Sequence, residues 1–109
     1  MASGEQRKKR KKSLTGNCFY CKRPFDPEYF ELPEKGSPNS KKSRRRIART
    51  LEHLEPLSKG GTNAPENCTL AHAHCNVLAA DLSKEEKMKL EGTFPSPVPV
   101  KVLTQGAAA

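Results

Sequence analysis

The chain has 109 residues, of which 34% are hydrophobic, so we expect one small domain that needs a stabilising element besides its apolar core. Twenty Lys and Arg against twelve Asp and Glu give a net charge of +8, which favours a polyphosphate partner. No apolar stretch approaches the roughly 20 residues of a membrane span, and no secretory signal pattern opens the chain. We therefore expect a cytoplasmic protein without a membrane partner, whose closely spaced cysteines bind metal rather than form disulfides.

The first predicted segment is a basic arm. Residues 1–15 lack hydrophobic periodicity and contain the run RKKRKK, Arg7 to Lys12. Such a composition is typical of a disordered segment, which could serve nucleic-acid binding, nuclear targeting or solubility alike.

A domain is predicted over residues 16–92, beginning with a compact knuckle, GNCFYCKRPFDP, that holds Cys18 and Cys21. The composition of residues 33–43 predicts an exposed loop, and the mixed apolar pattern that follows predicts a strand from about 46 to 53. After a segment of turn residues, a helix is predicted from about 73 to 81. A capping box, Ser83 with Glu86, predicts a second helix that stops at Gly92, and the proline-rich tail, residues 93–109, is predicted to be irregular.

Two residue pairs with matching spacing predict a structural zinc site. Cys18 and Cys21 form a CxxC pair, and His72 and Cys75 form an HxxC pair about 50 residues later. Three thiolates and an imidazole suit tetrahedral Zn(II), which would join the start of the domain to its end. Cys68 is interpreted as a small core residue, whereas His74 is the rival of His72 as the fourth ligand.

The segment EHLEPLSKGGTNAPENCTLAHAHCN resembles the HNH endonucleases, which share the ββα-metal fold, and the resemblance extends from about Cys18 to Asp81. Family members with a zinc elaboration place a CxxC or HxxC pair five residues after the central asparagine, which here supports His72 and Cys75. The resemblance implies a small α+β domain with a ββα-metal core stapled by zinc, of the stand-alone kind found in phages and bacteria. The positions that carry the family pattern are Glu52, His53, Pro56, Gly60, Gly61, Asn67 and Asn76.

The resemblance implies metal-dependent hydrolysis of DNA phosphodiester bonds, by nicking or double-strand cleavage. His53 would be the general base, and Asn67 would orient it by holding the long loop. Glu52 and Asn76 would offer oxygen ligands to one catalytic Mg(II), Mn(II) or other divalent transition metal. A regular strand sends Glu52 and His53 to opposite faces, so we expect them at a strand end or a bulge.

DNA is the expected partner, and a second copy of the chain or a phage or bacterial protein is a further candidate. The expected location is the cytoplasm of a bacterium or of a phage-infected host. Where HNH nucleases often carry a basic residue after the last asparagine, this chain has Val77, Leu78, Ala79 and Ala80. This departure keeps open a zinc-dependent nucleic-acid-binding module without activity. Phosphate contacts are expected instead from Arg44, Arg45, Arg46, Arg49 and Lys59.

Overall fold

Two short antiparallel strands form the centre of the fold. The computed structural model describes residues 4–101, and within them β1 (Arg49–His53) pairs with β2 (Cys68–His72). The register sets Glu52 opposite Thr69 and His53 opposite Cys68. Because side chains alternate along a strand, Thr50 and Glu52 share one face of the hairpin and His53 lies on the other.

Four helices accompany this hairpin among residues 4–101, and β1, β2 and the helix after them form a ββα unit. The architecture is the small α+β fold predicted from the sequence, with a Cys and His cluster that can hold a metal. The helices are α1 (Gly4–Ser13), α2 (Ser40–Arg46), α3 (Ala73–Ala79) and α4 (Lys84–Lys89).

Residues 4–13 form helix α1, although we expected an arm without regular structure. Lys and Arg favour helices, and Glu5 in the first turn with basic residues in the last turn complements the helix dipole. The Arg49 guanidinium donates to the carbonyl oxygens of Lys11 and Leu14, at 2.7 and 2.8 Å, and so holds the C-terminal end of α1 against the hairpin.

The region before β1 also differs from the prediction. The expected strand from about residue 46 begins only at Arg49, and the expected loop over residues 33–43 ends where α2 starts at Ser40. The lysine and arginine run contains good helix formers and no β-branched residue, so the helix continues through it to Arg46. Ile47, which follows the helix, is buried with Phe30 and Val98 in a small second core.

The connection between β1 and β2 depends on its two adjacent glycines. Gly60 has a left-handed backbone, with φ of 92°, and ends a 3₁₀ turn at Leu57–Lys59. A Cβ atom on Gly61 would lie 1.8 Å from the carbonyl oxygen of Glu55, so no side chain fits at this position. The loop can therefore fold back on itself only with glycine at both positions.

The two predicted helices after β2 are present. α3 ends at Ala79, two residues before the predicted end, because Ala80 has a positive φ of 50°. The predicted capping box of α4 is confirmed, since the side chain of Ser83 and that of Glu86 each accept from the other's backbone N–H.

The main core lies between the knuckle and the ββα unit, and the residues after 92 pack partly against this core and partly against the second one. The Phe94 ring stacks on Tyr20 with 4.9 Å between centroids, and Val100 forms an isolated bridge with Phe30. Residues 93–101 lack helix and strand apart from this bridge, while residues 102–109 of the predicted tail lie outside the described part. No helix between residues 4 and 101 combines the length and the apolarity needed to cross a bilayer.

Candidate metal centre and active site

The structure brings the two predicted metal-binding pairs together. The ligand atoms of Cys18, Cys21, His72 and Cys75 all lie within 4.8 Å of one another, and all four residues are buried. The knuckle is attached to β2 because the Phe19 N–H donates to the Leu70 carbonyl at 2.8 Å. His72 ends β2 and Cys75 lies in the first turn of α3, so the cluster fixes the knuckle to the strand-to-helix junction.

Hydrogen bonds hold the ring of His72 in one orientation. Its Nδ1 faces the cluster, 3.3 Å from Cys21 Sγ, and its Nε2–H donates to the Pro24 carbonyl at 2.9 Å. The rings of Phe25 and Phe30 pack against the imidazole, at 4.6 and 5.4 Å between centroids. A carbonyl acceptor of this kind is the usual outer partner of a metal-bound histidine, because it fixes the tautomer that points a lone pair at the metal.

Hydrogen bonds within the cluster shift the pKa values of its members in different directions. Hydrogen bonds from Cys21 and then Cys75 hold the pKa of Cys18 far below its usual range, whereas hydrogen bonds to Cys18 and Cys21 raise the pKa of Cys75. Burial alone would lower the pKa of His72, but hydrogen bonds with the thiols of Cys18 and Cys21 raise it to about 9. Three thiols and an imidazole crowded together in this way have the chemistry of a closed zinc site.

Two other metal-capable residues lie outside the cluster. Cys68 is buried near the Thr62 carbonyl, and burial raises the pKa of its thiol. His74 is half-buried on α3 and is not a member of the cluster, so it is His72 that joins the cysteines.

The predicted general base lies at the end of β1. His53 is half-buried, and its Nε2 is 2.6 Å from Asn63 Oδ1 in the β1–β2 loop. The Asn63 carbonyl in turn accepts from Arg10 Nε of α1 at 2.8 Å. Because an amide oxygen is an acceptor, the contact places a hydrogen on Nε2, and in the neutral ring the lone pair then lies on Nδ1.

The predicted loop-holding asparagine makes three hydrogen bonds to the backbone. Asn67 Oδ1 accepts from the Glu55 N–H at 2.8 Å, while Nδ2 donates to the carbonyls of Glu55 at 3.1 Å and Thr62 at 2.8 Å. The Asn67 carbonyl also accepts from the Leu54 N–H. The side chain therefore closes the loop directly after His53.

Glu52 lies on the opposite face of β1 from His53, in the core. The residue is only 4% exposed, and its Oε2 accepts a hydrogen bond from the Tyr20 hydroxyl at 2.6 Å. The same oxygen is 3.4 Å from the Lys87 ammonium, which is itself buried on α4. β1 has no bulge at Glu52 and His53. The two residues lie at the end of the strand, which is one of the two positions that we expected for them.

Asn76 contacts the same face of the hairpin as Glu52, but its hydrogen bonds go to other residues. Its Nδ2 donates to Thr50 Oγ1 and to the Leu51 carbonyl, both at 3.3 Å, which attaches α3 to β1. Within residues 4–101, no hydrogen bond links Asn76 to Glu52 or to His53. The structure thus places Glu52 and Asn76 on one side of β1, each with hydrogen-bond partners of its own.

The predicted DNA-binding residues separate into two groups. Arg44 donates to the Pro33 carbonyl and to Ser40, and Arg49 holds α1, so both have structural partners. Arg45 and Lys59 are exposed, and Arg46 is half-buried.

Three residues of this region were not identified from the sequence. Asn63 contacts the base, and Tyr20 and Lys87 contact Glu52. Nothing in a single sequence marks Tyr20 or Lys87 for this role, since they lie 32 and 35 positions from Glu52. The proximity of Asn63 to the double glycine was the one available signal.

Residues 37–81 match the family model described as HNH endonuclease. The matched segment runs from the residues before α2 to the end of α3 and includes the whole β1–β2 loop, but not the CxxC pair. No curated protein and no solved structure matches the chain.

Proposed function

Because residues 37–81 match the HNH endonuclease family model, we propose that the protein is an endonuclease that hydrolyses DNA phosphodiester bonds with His53 as general base. The observation that carries the proposal is the contact of His53 Nε2 with Asn63 Oδ1 at the end of β1. In the neutral imidazole this contact keeps the hydrogen on Nε2, so that Nδ1 carries the lone pair that a general base requires.

In the proposed reaction, His53 Nδ1 accepts a proton from a water molecule as the water oxygen forms a bond to phosphorus. The bond from phosphorus to the 3′ oxygen breaks, and the departing oxygen acquires a proton from solvent. The products are a 5′ phosphate and a 3′ hydroxyl. Asn63 and Asn67 keep the imidazole in place during this step through the ring contact and the closed loop.

HNH nucleases use divalent metals, and Glu52 with Asn76 was the ligand pair predicted for Mg(II) or Mn(II). Glu52 does not fit this role as it stands, because its Oε2 is bound to Tyr20 and lies beside a buried ammonium. The side-chain oxygen Oδ1 of Asn76 remains available, since Nδ2 of the same amide makes the hydrogen bonds to β1. The proposed steps therefore use only the side chains of the chain itself.

A plasmid-nicking assay tests the proposed function. Supercoiled plasmid incubated with the protein and either Mg(II) or Mn(II) should become open circular, and DNA ligase should reseal the nick because the ends carry 5′ phosphate and 3′ hydroxyl. Because each chain has one general base, it should cut one DNA strand at a time. Plasmid that stays supercoiled under all metal conditions would rule out the nuclease.

A second candidate is a DNA-binding module without cleavage activity. The buried pairing of Glu52 with Lys87 favours it, because the carboxylate expected at a catalytic metal is already neutralised. In that case the protein would bind the plasmid in a gel-shift assay while leaving it intact. Binding without nicking would therefore select this candidate.

The exposed basic residues next to the site should neutralise DNA phosphates. Replacing Arg45 and Lys59 with alanine should weaken duplex binding and reduce the slope of log K against log salt by up to about 1.8, or about 0.9 for each phosphate that is no longer neutralised. Fluorescence anisotropy over a salt series measures this slope.

A matched pair of lysines provides the control for that measurement. Lys84 and Lys89 on α4 are also exposed, and their replacement with alanine removes the same charge. An equal reduction of the slope in both double variants would contradict a specific role for Arg45 and Lys59.

A further inference from the structure

We propose that the Lys87 ammonium is the ion-pair partner of Glu52 in place of a metal ion, and that this pair positions the backbone at His53. Glu52 is then a positioning residue rather than a metal ligand. This inference rests on the proposed function for its consequence in catalysis. The pairing itself can be tested without any activity.

The geometry of the pair is that of a buried structural ion pair. The side chains of Lys87 and Glu52 are 2% and 5% exposed, and their charged atoms are 3.4 Å apart. The hydroxyl of Tyr20 donates to the same carboxylate oxygen at 2.6 Å. A buried carboxylate needs such partners, since an unpaired charge in the interior is strongly unfavourable.

The pair also reaches the backbone of the catalytic strand. Besides facing Glu52, the Lys87 ammonium donates to the His53 carbonyl at 2.8 Å. One cation therefore ties the side chain of Glu52 to the main chain of the next residue. The capping box at Ser83 and Glu86 begins the short helix that carries Lys87, so its ammonium is presented from an anchored element.

A divalent ion at Glu52 would have to displace these partners or share the carboxylate with an ammonium. Sharing is unfavourable because two cations would repel each other in a site that water scarcely reaches. Displacement would leave the Lys87 charge buried and would break its hydrogen bond to His53. The tyrosine adds a further partner that the ion would have to displace, since its hydroxyl donates to the Glu52 carboxylate.

Thermal unfolding of variants tests the ion pair. Glu52→Gln and Lys87→Met should each lower the Tm by more than about 10 °C, because each leaves one buried charge without its partner. The double variant has no buried charge left to compensate. Its Tm should therefore fall by less than half of the sum of the two single-variant shifts. Additive shifts would overturn the pairing, and Lys89→Met, two residues on and exposed, is the control that should not change the Tm.

Mn(II) binding by the double variant tests whether Glu52 is a ligand. Electron paramagnetic resonance of free Mn(II) should give an apparent Kd within about threefold of that of the wild-type chain. A rise of tenfold or more would overturn the proposal by showing that a Glu52 oxygen reaches the ion. If the wild-type chain binds no Mn(II) and the Tm shifts of the variants are not additive, the ion pair is supported and Glu52 has no metal-binding role.

The positioning role predicts a specific kinetic signature. At saturating DNA, Lys87→Met should slow single-turnover nicking at least tenfold, while the half-saturating concentrations of DNA and Mn(II) stay within about threefold of wild type. An unchanged rate in a folded Lys87→Met protein would overturn the positioning role. Absence of nicking in the wild-type chain would instead reject the proposed function and leave the unfolding result to decide the pair.

Discussion

Replacement of His53 with alanine is expected to lower plasmid nicking by about 10²- to 10⁴-fold, the range that a positioned general base contributes. The loss should be confined to chemistry, because the half-buried ring makes one side-chain hydrogen bond, to Asn63, within the described residues. Duplex affinity, zinc content and the far-ultraviolet circular dichroism spectrum should all stay close to those of the wild-type protein. Single-turnover nicking rates measure the effect.

The chain provides its own control for this experiment. His74 is likewise half-buried and lies outside both the cysteine cluster and the β1–β2 loop, so His74→Ala should keep nicking and zinc alike. Nicking by His53→Ala at a rate near that of His74→Ala would refute His53 as the base.

The metal cluster was predictable from the sequence because its members come in local pairs. A two-residue spacer places both members of each pair on one side of a knuckle or a helical turn, so only the meeting of the pairs required tertiary structure. The choice of His72 over His74 also followed from spacing, and the structure shows its physical basis in the Pro24 carbonyl that orients the ring. The turn at Gly60 and Gly61 was local in the same sense.

The environment of Glu52 could not be predicted in this way. Strand alternation separates Glu52 from His53, but it does not say which of the two faces becomes the core. That choice depends on Tyr20 from the knuckle and Lys87 from α4, which converge on Glu52 from distant parts of the chain. A carboxylate before a histidine therefore looks the same in the sequence whether it binds a metal or an ammonium.

The N-terminal helix shows a second limit of the sequence. A run of lysines and arginines has the composition of a disordered segment and also contains good helix formers, so composition alone does not decide between them. Here Arg49 binds the carbonyls at the end of α1, and Arg10 reaches the Asn63 carbonyl beside His53. Two arginines that looked like candidates for phosphate binding instead connect the arm to β1 and to the β1–β2 loop.

The largest effect on stability is expected from the metal cluster. Cys75→Ser should yield a chain that lacks zinc and does not fold, because structural zinc contributes about 10–16 kcal/mol in small domains, comparable with the whole stability of about 5–15 kcal/mol. The wild-type chain should hold one zinc and keep it through brief EDTA treatment. Elemental analysis and circular dichroism of the purified proteins measure both properties.

Cys68→Ser is the matched control, because Cys68 is also buried but its sulfur lies outside the cluster. This variant should retain one zinc and a cooperative thermal transition, with at most a modest fall in Tm from placing a hydroxyl in the core. His72→Ala should behave like Cys75→Ser, whereas His74→Ala should keep its zinc. The metal would have to bind elsewhere if Cys68→Ser or His74→Ala lost zinc while Cys75→Ser retained it. If the wild-type chain folded without zinc, the buried thiols would hold the knuckle by packing alone.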